Sequence, residues 1–247
     1  MSAEPLSVVL LPGLDGTGIM FEPFVRHLPP QWEPIIVRYP GDQCLSYDEL
    51  LPLARAALPS DRPFLLLGES FGGPLSIRLA AERPVGLCGL VLCATFAGTS
   101  APWLPRYCHR LVRPSTVLAW QVSGRFAAWA RGLCPKEVRR LFNRVRHQVT
   151  IDVLATRVRE TVQVDVTREL TEINVPILYL AAGKDHVVPK SCLRLIQQHR
   201  PDVDIHTFDA AHWILQTQGD AVVRALEPFV ARCVNRQFSP PMLQEAS

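Results

Sequence analysis

The sequence has little of what marks a specialised class. None of its seven cysteines (Cys44, Cys88, Cys93, Cys108, Cys134, Cys192 and Cys233) belongs to a Cys-x-x-Cys pair. They read as reduced core or surface thiols of a reducing compartment, and no metal site is expected. No apolar run approaches the ~20 residues of a membrane span. The opening MSAEPLSVVLLPG has no basic segment ahead of its apolar run, so a signal peptide is not expected, and the cytoplasm is the default location. Internal repeats and low-complexity tracts are absent. An excess of one charge is missing too: 26 Lys and Arg against 23 Asp and Glu give +3, too little for a nucleic-acid binder.

What is present is ordinary globular composition, 48% apolar and 20% charged, over 247 residues, with ample material for a buried core. Six short apolar runs, at 7–11, 33–37, 63–67, 87–93, 177–181 and 203–208, read as strands. They show little polar alternation, as expected of parallel strands covered on both faces. Helical patterns at 18–28, 46–58, 71–82, 190–199 and 220–235 lie between them. This alternation predicts an α/β fold: a mostly parallel sheet of about six strands with helices on both faces.

More than eighty residues separate the fourth and fifth strands. A structureless loop of that length is improbable in a compact domain, and the segment carries helical patterns punctuated by Pro102, Pro105, Pro114 and Pro135. The chain therefore divides into a core of residues 1–96 and 166–236, an inserted helical segment at 97–165, and a frayed tail at 237–247. Charge follows the same division. Residues 97–165 hold twelve Lys or Arg against four Asp or Glu, leaving fourteen against nineteen elsewhere.

The third strand runs into GESFGG and then a helix, which is G-x-S-x-G in the setting of a nucleophile elbow. The turn forces Ser70 into strained backbone and lifts its hydroxyl out at the strand's end. A side chain at Gly68 or Gly72 would collide with the neighbouring strand or helix. The bland alternative is a glycine-rich turn with a helix-capping serine.

Serine needs a base, and the base an orienting acid. The last strand is followed by DAAHW, placing His212 at the C-terminal sheet edge; the strand before it is followed by GKDHVVP, placing Asp185 on the adjacent loop. His186 remains open as an alternative base and Asp209 as an alternative acid. The other histidines fall on predicted helices or within a strand. Oxyanion donors are expected from the backbone N–H of Phe71, directly after the nucleophile, and of Leu14 in the glycine-rich loop LLPGLDGTG. That loop lacks both G-x-G-x-x-G spacing and a G-K-[ST] ending, which weakens a phosphate-binding reading.

Taken from 7 to about 234, these motifs resemble the α/β-hydrolase superfamily. LPGLDGTG with GESFGG is similar to its branch of esterases, thioesterases and acyltransferases of small acyl substrates. The chain departs from that pattern in carrying Pro12-Gly13 where His-Gly is usual, and in opening with the family's third strand. The resemblance implies a Ser-His-Asp mechanism on Ser70, His212 and Asp185 without metal or cofactor, with 97–165 as a helical lid. Ester hydrolysis is the expectation; thioester hydrolysis, acyl transfer and a non-catalytic module on the same fold are the alternatives. Trp103, Trp120 and Trp213 are candidate walls of an acyl site, with Leu104, Phe126 and Trp129 nearby.

The stretch KEVRRLFNRVRH, at 136–147, is amphipathic. Val138, Leu141, Phe142, Val145 and Val149 form one stripe, while Arg139, Arg140, Arg144, Arg146 and His147 take the other face. Solvent, an acidic partner and nucleic acid compete for that basic face. A basic lid resembles the biotin-pathway carboxylesterases that cleave methyl esters of pimeloyl-carrier protein. That resemblance implies Arg139, Arg140 and Arg144 as docking residues for an acidic acyl carrier protein.

Overall fold

A computed structural model describes residues 6–99, 106–119 and 134–238 of the chain. Six strands form one parallel sheet: β1 (Leu6–Leu11), β2 (Trp32–Ile36), β3 (Phe64–Glu69), β4 (Leu87–Cys93), β5 (Ile177–Ala182) and β6 (Asp204–Phe208), in the spatial order β2-β1-β3-β4-β5-β6. The chain starts one strand in from an edge, winds to the edge strand β2, crosses back over β1 to β3, and then builds outward to β6. Right-handed crossovers therefore put helices on both faces.

Alternate residues of the central strands feed two separate cores. On one face Val9, Leu11, Leu66, Leu92 and Tyr179 pack under α2 (Tyr47–Ala56), α3 (Gly72–Ala81), α6 (Thr167–Glu172) and α7 (Lys190–His199). On the other, Val8, Leu10, Leu67, Val91 and Leu180 meet α1 (Glu22–Val25), α8 (Ile214–Thr217) and α9 (Gly219–Phe238). The strand interiors β1, β3, β4 and β5 are buried throughout, which is why they read as uninterrupted apolar runs. The edge strand β6 is exposed at four of its five residues, so its polar DIHTF is physically apt.

Two expectations need correction. The helix foreseen at 18–28 is instead a 3-10 turn, Ile19–Phe21, running into the four-residue α1. Gly18 enters the left-handed region there (φ 76°), and the chain turns away at Pro29-Pro30. The last helix continues to Phe238, past the expected start of the tail; residues 239–247 lie outside the described part.

Within the inserted segment, residues 100–105 and 120–133 also lie outside the described part. Beyond them come α4 (Lys136–Val145) and α5 (Ile151–Gln163), the latter capped by Thr150 Oγ1, which accepts from Val153 N–H. The stripe of α4 packs as expected: Val138, Leu141, Val145 and Val149 are buried with Met20 and Val153, and Phe142 is partly buried against Trp213. Among the described residues no helix is long and apolar enough to cross a membrane.

Candidate active site

Strand β3 delivers Ser70 to the C-terminal edge of the sheet. Its φ of 51° is left-handed, a conformation that costs a side-chain-bearing residue about 1–3 kcal/mol. The surroundings enforce it. Ser70 N–H donates to Cys93 O at 3.0 Å, and Thr95 Oγ1 donates to Ser70 O. Thr95 is itself held by Tyr179, whose hydroxyl donates to Thr95 O at 2.8 Å and accepts from Thr95 N–H at 3.1 Å. A Cβ on Gly72 would lie 2.3 Å from Leu11 O, and one on Gly68 2.3 Å from Ser76 Oγ. The glycines let α3 approach β1 and β3 closely enough to hold the turn.

Ser70, His212 and Asp185 come together across the ends of β3, β5 and β6. His212 Nε2 is 3.0 Å from Ser70 Oγ, and His212 Nδ1 is 2.8 Å from Asp185 Oδ2. The other carboxylate oxygen of Asp185 accepts from Val187 N–H at 2.7 Å and Val188 N–H at 2.9 Å. Burial opposes charge on Asp185, but the His212 hydrogen bond and charge together with these two N–H donors outweigh it, holding the carboxyl below its usual range. An ionised acid with one oxygen on Nδ1 leaves Nε2 facing the serine hydroxyl.

The competing assignments separate. Asp209 points to Lys184, with 2.7 Å between charged atoms, and both side chains are exposed. His186 is exposed and has no place in the Ser70–His212–Asp185 line. His206 is on β6, against Phe208.

The glycine-rich loop after β1 reaches the same edge. A Cβ on Gly13 would lie 3.7 Å from Ser70 Cβ, and Gly16 N–H closes a turn on Gly13 O at 3.0 Å. Among the described residues, neither Leu14 N–H nor Phe71 N–H has a hydrogen-bond acceptor. The Phe71 side chain is clamped from behind: its ring stacks on Tyr47 at 4.5 Å, and Tyr47 Oη donates to Phe71 O at 2.8 Å.

The remaining predicted residues fare differently. Trp213 adjoins the imidazole edge-on, with centroids 6.3 Å apart, and meets Phe142 of α4 edge-on at 5.9 Å; its ring thus belongs to the seam between core and insertion. Trp103, Leu104, Trp120, Phe126 and Trp129 lie outside the described residues. Arg144 corrects the picture of an unengaged basic face. Its Nη1 and Nη2 donate to the two carboxylate oxygens of Glu22 at 2.6 and 2.7 Å, so this arginine ties α4 to α1. Arg140 is exposed and Arg139 partly so.

Three site-lining residues went unnoticed in the sequence. Glu69, buried beside the nucleophile, accepts from Gln216 Nε2, and Arg157 of α5 is buried against the glycine-rich loop. A signal existed for Arg157: it shares one helix face with Val153 and Thr161, in the middle of a buried stripe.

A family model described as the alpha/beta hydrolase family matches residues 8–225. The chain belongs to that family. Among curated proteins, the chain is 27% identical over 245 residues to the polyketide synthase ThaQ of Burkholderia thailandensis, covering 90% of the chain but 12% of that protein. It therefore spans only a small part of that relative. It is also 25% identical over 229 residues to the RutD protein of Caulobacter sp. strain K31, to which a carbamate hydrolase activity is ascribed, covering 86% of the chain and 84% of RutD. Among solved structures, a lipase-esterase related protein from Clostridium acetobutylicum superposes with a TM-score of 0.74 at 14% identity, covering 92% of this chain and 95% of that one. That likeness concerns the fold.

Proposed function

We propose that this hydrolase cleaves carboxylic esters through an acyl-enzyme on Ser70. The supporting observation is the unbroken line Asp185–His212–Ser70, with both links at hydrogen-bond length and the serine held in strained backbone at the sheet edge. His212 Nε2 takes the hydroxyl proton as Ser70 Oγ attacks the carbonyl carbon. The charge that develops on the carbonyl oxygen falls to the N–H groups of Leu14 and Phe71. Asp185 keeps the imidazole oriented and stabilises its cation. His212 then protonates the leaving alcohol, and a water deprotonated by the same nitrogen releases the acid. Asp, His and Ser complete both half-reactions, so the mechanism calls for neither metal nor cofactor.

Ser70→Ala tests the assignment: hydrolysis of a short p-nitrophenyl ester should vanish while the circular dichroism spectrum stays native. A folded variant that retains most of its turnover would sink it. Labelling of Ser70 in the unmodified protein by a fluorophosphonate separates an enzyme from a binding module. Thioesters and acceptor alcohols use the same groups, and product analysis with added alcohol distinguishes hydrolysis from acyl transfer.

The partner reading rests on charge. The inserted segment, in the role of a lid above the site in the cytoplasmic enzyme, presents Arg139, Arg140, Arg146 and His147 on the outward side of α4. Such a face suits an acidic acyl carrier delivering its ester to Ser70, through electrostatic steering of the encounter. Trp213 and the tryptophans at 103 and 120 would then line the acyl path.

A further inference from the structure

Among the described residues, the deepest charged side chain in the inserted segment reaches the glycine-rich loop. Arg157, in the middle of α5, is only 2% exposed. Its Nη1 donates to Leu14 O and to Asp15 O, each at 2.7 Å, and its Nη2 donates to Pro40 O at 2.9 Å. The guanidinium also lies over the Tyr39 ring, 5.5 Å from its centroid. A Cβ on Gly16 would meet Nη1 at 2.5 Å, so the loop backbone and the guanidinium are fitted to each other without room for a side chain.

Leu14 and Asp15 are the two central residues of the turn closed by Gly16 N–H on Gly13 O. Their carbonyls point away from the turn and, without a donor, would be bare in a water-poor seam. With Gly13, Gly16 and Gly18 in six residues, the loop has little stiffness of its own. The orientation of its peptide planes must therefore be imposed from outside. Asp15 supplies one restraint, accepting from Thr17 N–H at 2.9 Å and Thr17 Oγ1 at 2.6 Å, and Tyr39 N–H supplies another on Gly16 O at 2.8 Å. Among the described residues, Arg157 alone grips the carbonyls of Leu14 and Asp15, fixing the two peptide planes that follow the one carrying the Leu14 N–H, which Gly16 N–H holds through Gly13 O.

We infer that Arg157 is a positioning residue for the oxyanion hole: it reaches from the inserted segment to hold Leu14 so that its N–H points at the charge developing on the substrate. This rests on the Ser70 esterase reading. It makes catalytic competence depend on the seating of α5. When α5 is docked, a planar fork of donors holds two carbonyls of the loop and ties them to Pro40 O beyond β2; when α5 shifts, the loop loses that clasp while Ser70, His212 and Asp185 keep theirs. A single ammonium cannot span three carbonyls as the guanidinium fork does.

The experiment compares the unmodified protein with Arg157→Met and Arg157→Lys. It measures kcat and KM on a p-nitrophenyl ester, affinity for an aryl trifluoromethyl ketone, and thermal unfolding. The ketone adds to Ser70 Oγ to give a tetrahedral oxyanion, so its affinity reads the hole itself. Arg157→Met should lose about tenfold to a hundredfold in kcat, the scale of an ångström-level misplacement, with KM nearly unchanged. Ketone affinity should fall in parallel, and Arg157→Lys should lie between. A folded Arg157→Met that keeps its kcat, or that loses activity through KM with ketone affinity intact, overturns the inference. If Arg157→Met does not fold, the same split in Arg157→Lys decides. If the unmodified protein neither hydrolyses the ester nor binds the ketone, it is the esterase reading that has failed.

Discussion

Gln216 Nε2 donates to Glu69 Oε1 at 2.8 Å and to Met20 O at 3.2 Å, so one buried amide joins the nucleophile strand, the segment after the oxyanion loop and the helix that follows His212. Glu69 directly precedes Ser70 and is 5% exposed. Burial pushes its carboxyl up to about 7, against the opposing pull of the Gln216 hydrogen bond and the nearby His212.

That shift has a definite sign. A carboxyl raised in the folded state favours folding below its unfolded value, near 4.5, and its contribution declines as pH rises through about 7. Across that window the loss is roughly 3 kcal/mol at 1.36 kcal/mol per unit. Glu69→Gln keeps an acceptor for Gln216 but cannot ionise. Its unfolding free energy should exceed that of the unmodified protein at pH 8, and the gap should close near pH 5. Chemical denaturation at the two pH values measures it.

The acid assignment makes an asymmetric prediction. Asp185→Asn should lower kcat by about 10⁴-fold, because an amide no longer fixes the imidazole tautomer or supports its cation. Asp209→Asn should stay close to unmodified activity, since the Asp209 carboxylate pairs with the exposed Lys184. The carboxyl of Asp185 is held below 3.8, so its stabilisation of the folded site persists through neutral pH and is lost only as pH falls through that depressed value. Initial rates of the two variants at pH 7.5 decide which acid serves His212.

Much of this site was legible because its physics is local or periodic. A buried parallel strand is an apolar run, so the six strands emerged within about two residues of their ends. The elbow needs a glycine on either side of Ser70 for steric reasons that any similar turn would share. His212 and Asp185 followed from their places after β6 and β5. The unread parts depend on contacts remote in sequence. Arg144 looked available because its partner Glu22 lies 122 residues away. Arg157 disappeared into the charge excess of 97–165, although its helix position marked it as buried. Glu69 carries no signal of its own inside the serine motif, since nothing local shows that Gln216 lies 147 residues downstream.

Backbone strain at the elbow can be isolated from the loss of the hydroxyl. Ser70→Ala and Ser70→Gly both remove the Oγ that faces His212, but only alanine must still carry a Cβ at φ 51°. Glycine is freer in the unfolded chain, which costs about 0.5–1 kcal/mol, against about 1–3 kcal/mol of strain relieved. Ser70→Gly should therefore be the more stable of the two inactive variants, by about 1 kcal/mol. If Ser70→Ala proves the more stable by about 0.5–1 kcal/mol, the entropic cost of glycine alone, the elbow is unstrained.

The carrier reading can be tested without touching the site. Arg144 is a poor choice for that purpose, because removing it leaves the Glu22 carboxylate without its bidentate partner and loosens α4 on α1. Among the described residues Arg139 and Arg140 have no such tie, and charge reversal there alters the outer face of α4. The double variant Arg139→Glu, Arg140→Glu should hydrolyse a free p-nitrophenyl ester at the unmodified rate. On the same acyl ester borne by an acidic carrier protein, kcat/KM should fall about tenfold or more, because repulsion replaces steering. The difference should shrink as salt rises from 0.01 M toward 1 M, where the screening length drops from about 30 Å to about 3 Å. A carrier-bound ester hydrolysed no faster than the free one, or without dependence on salt, would return the basic face of α4 to ordinary solvent exposure.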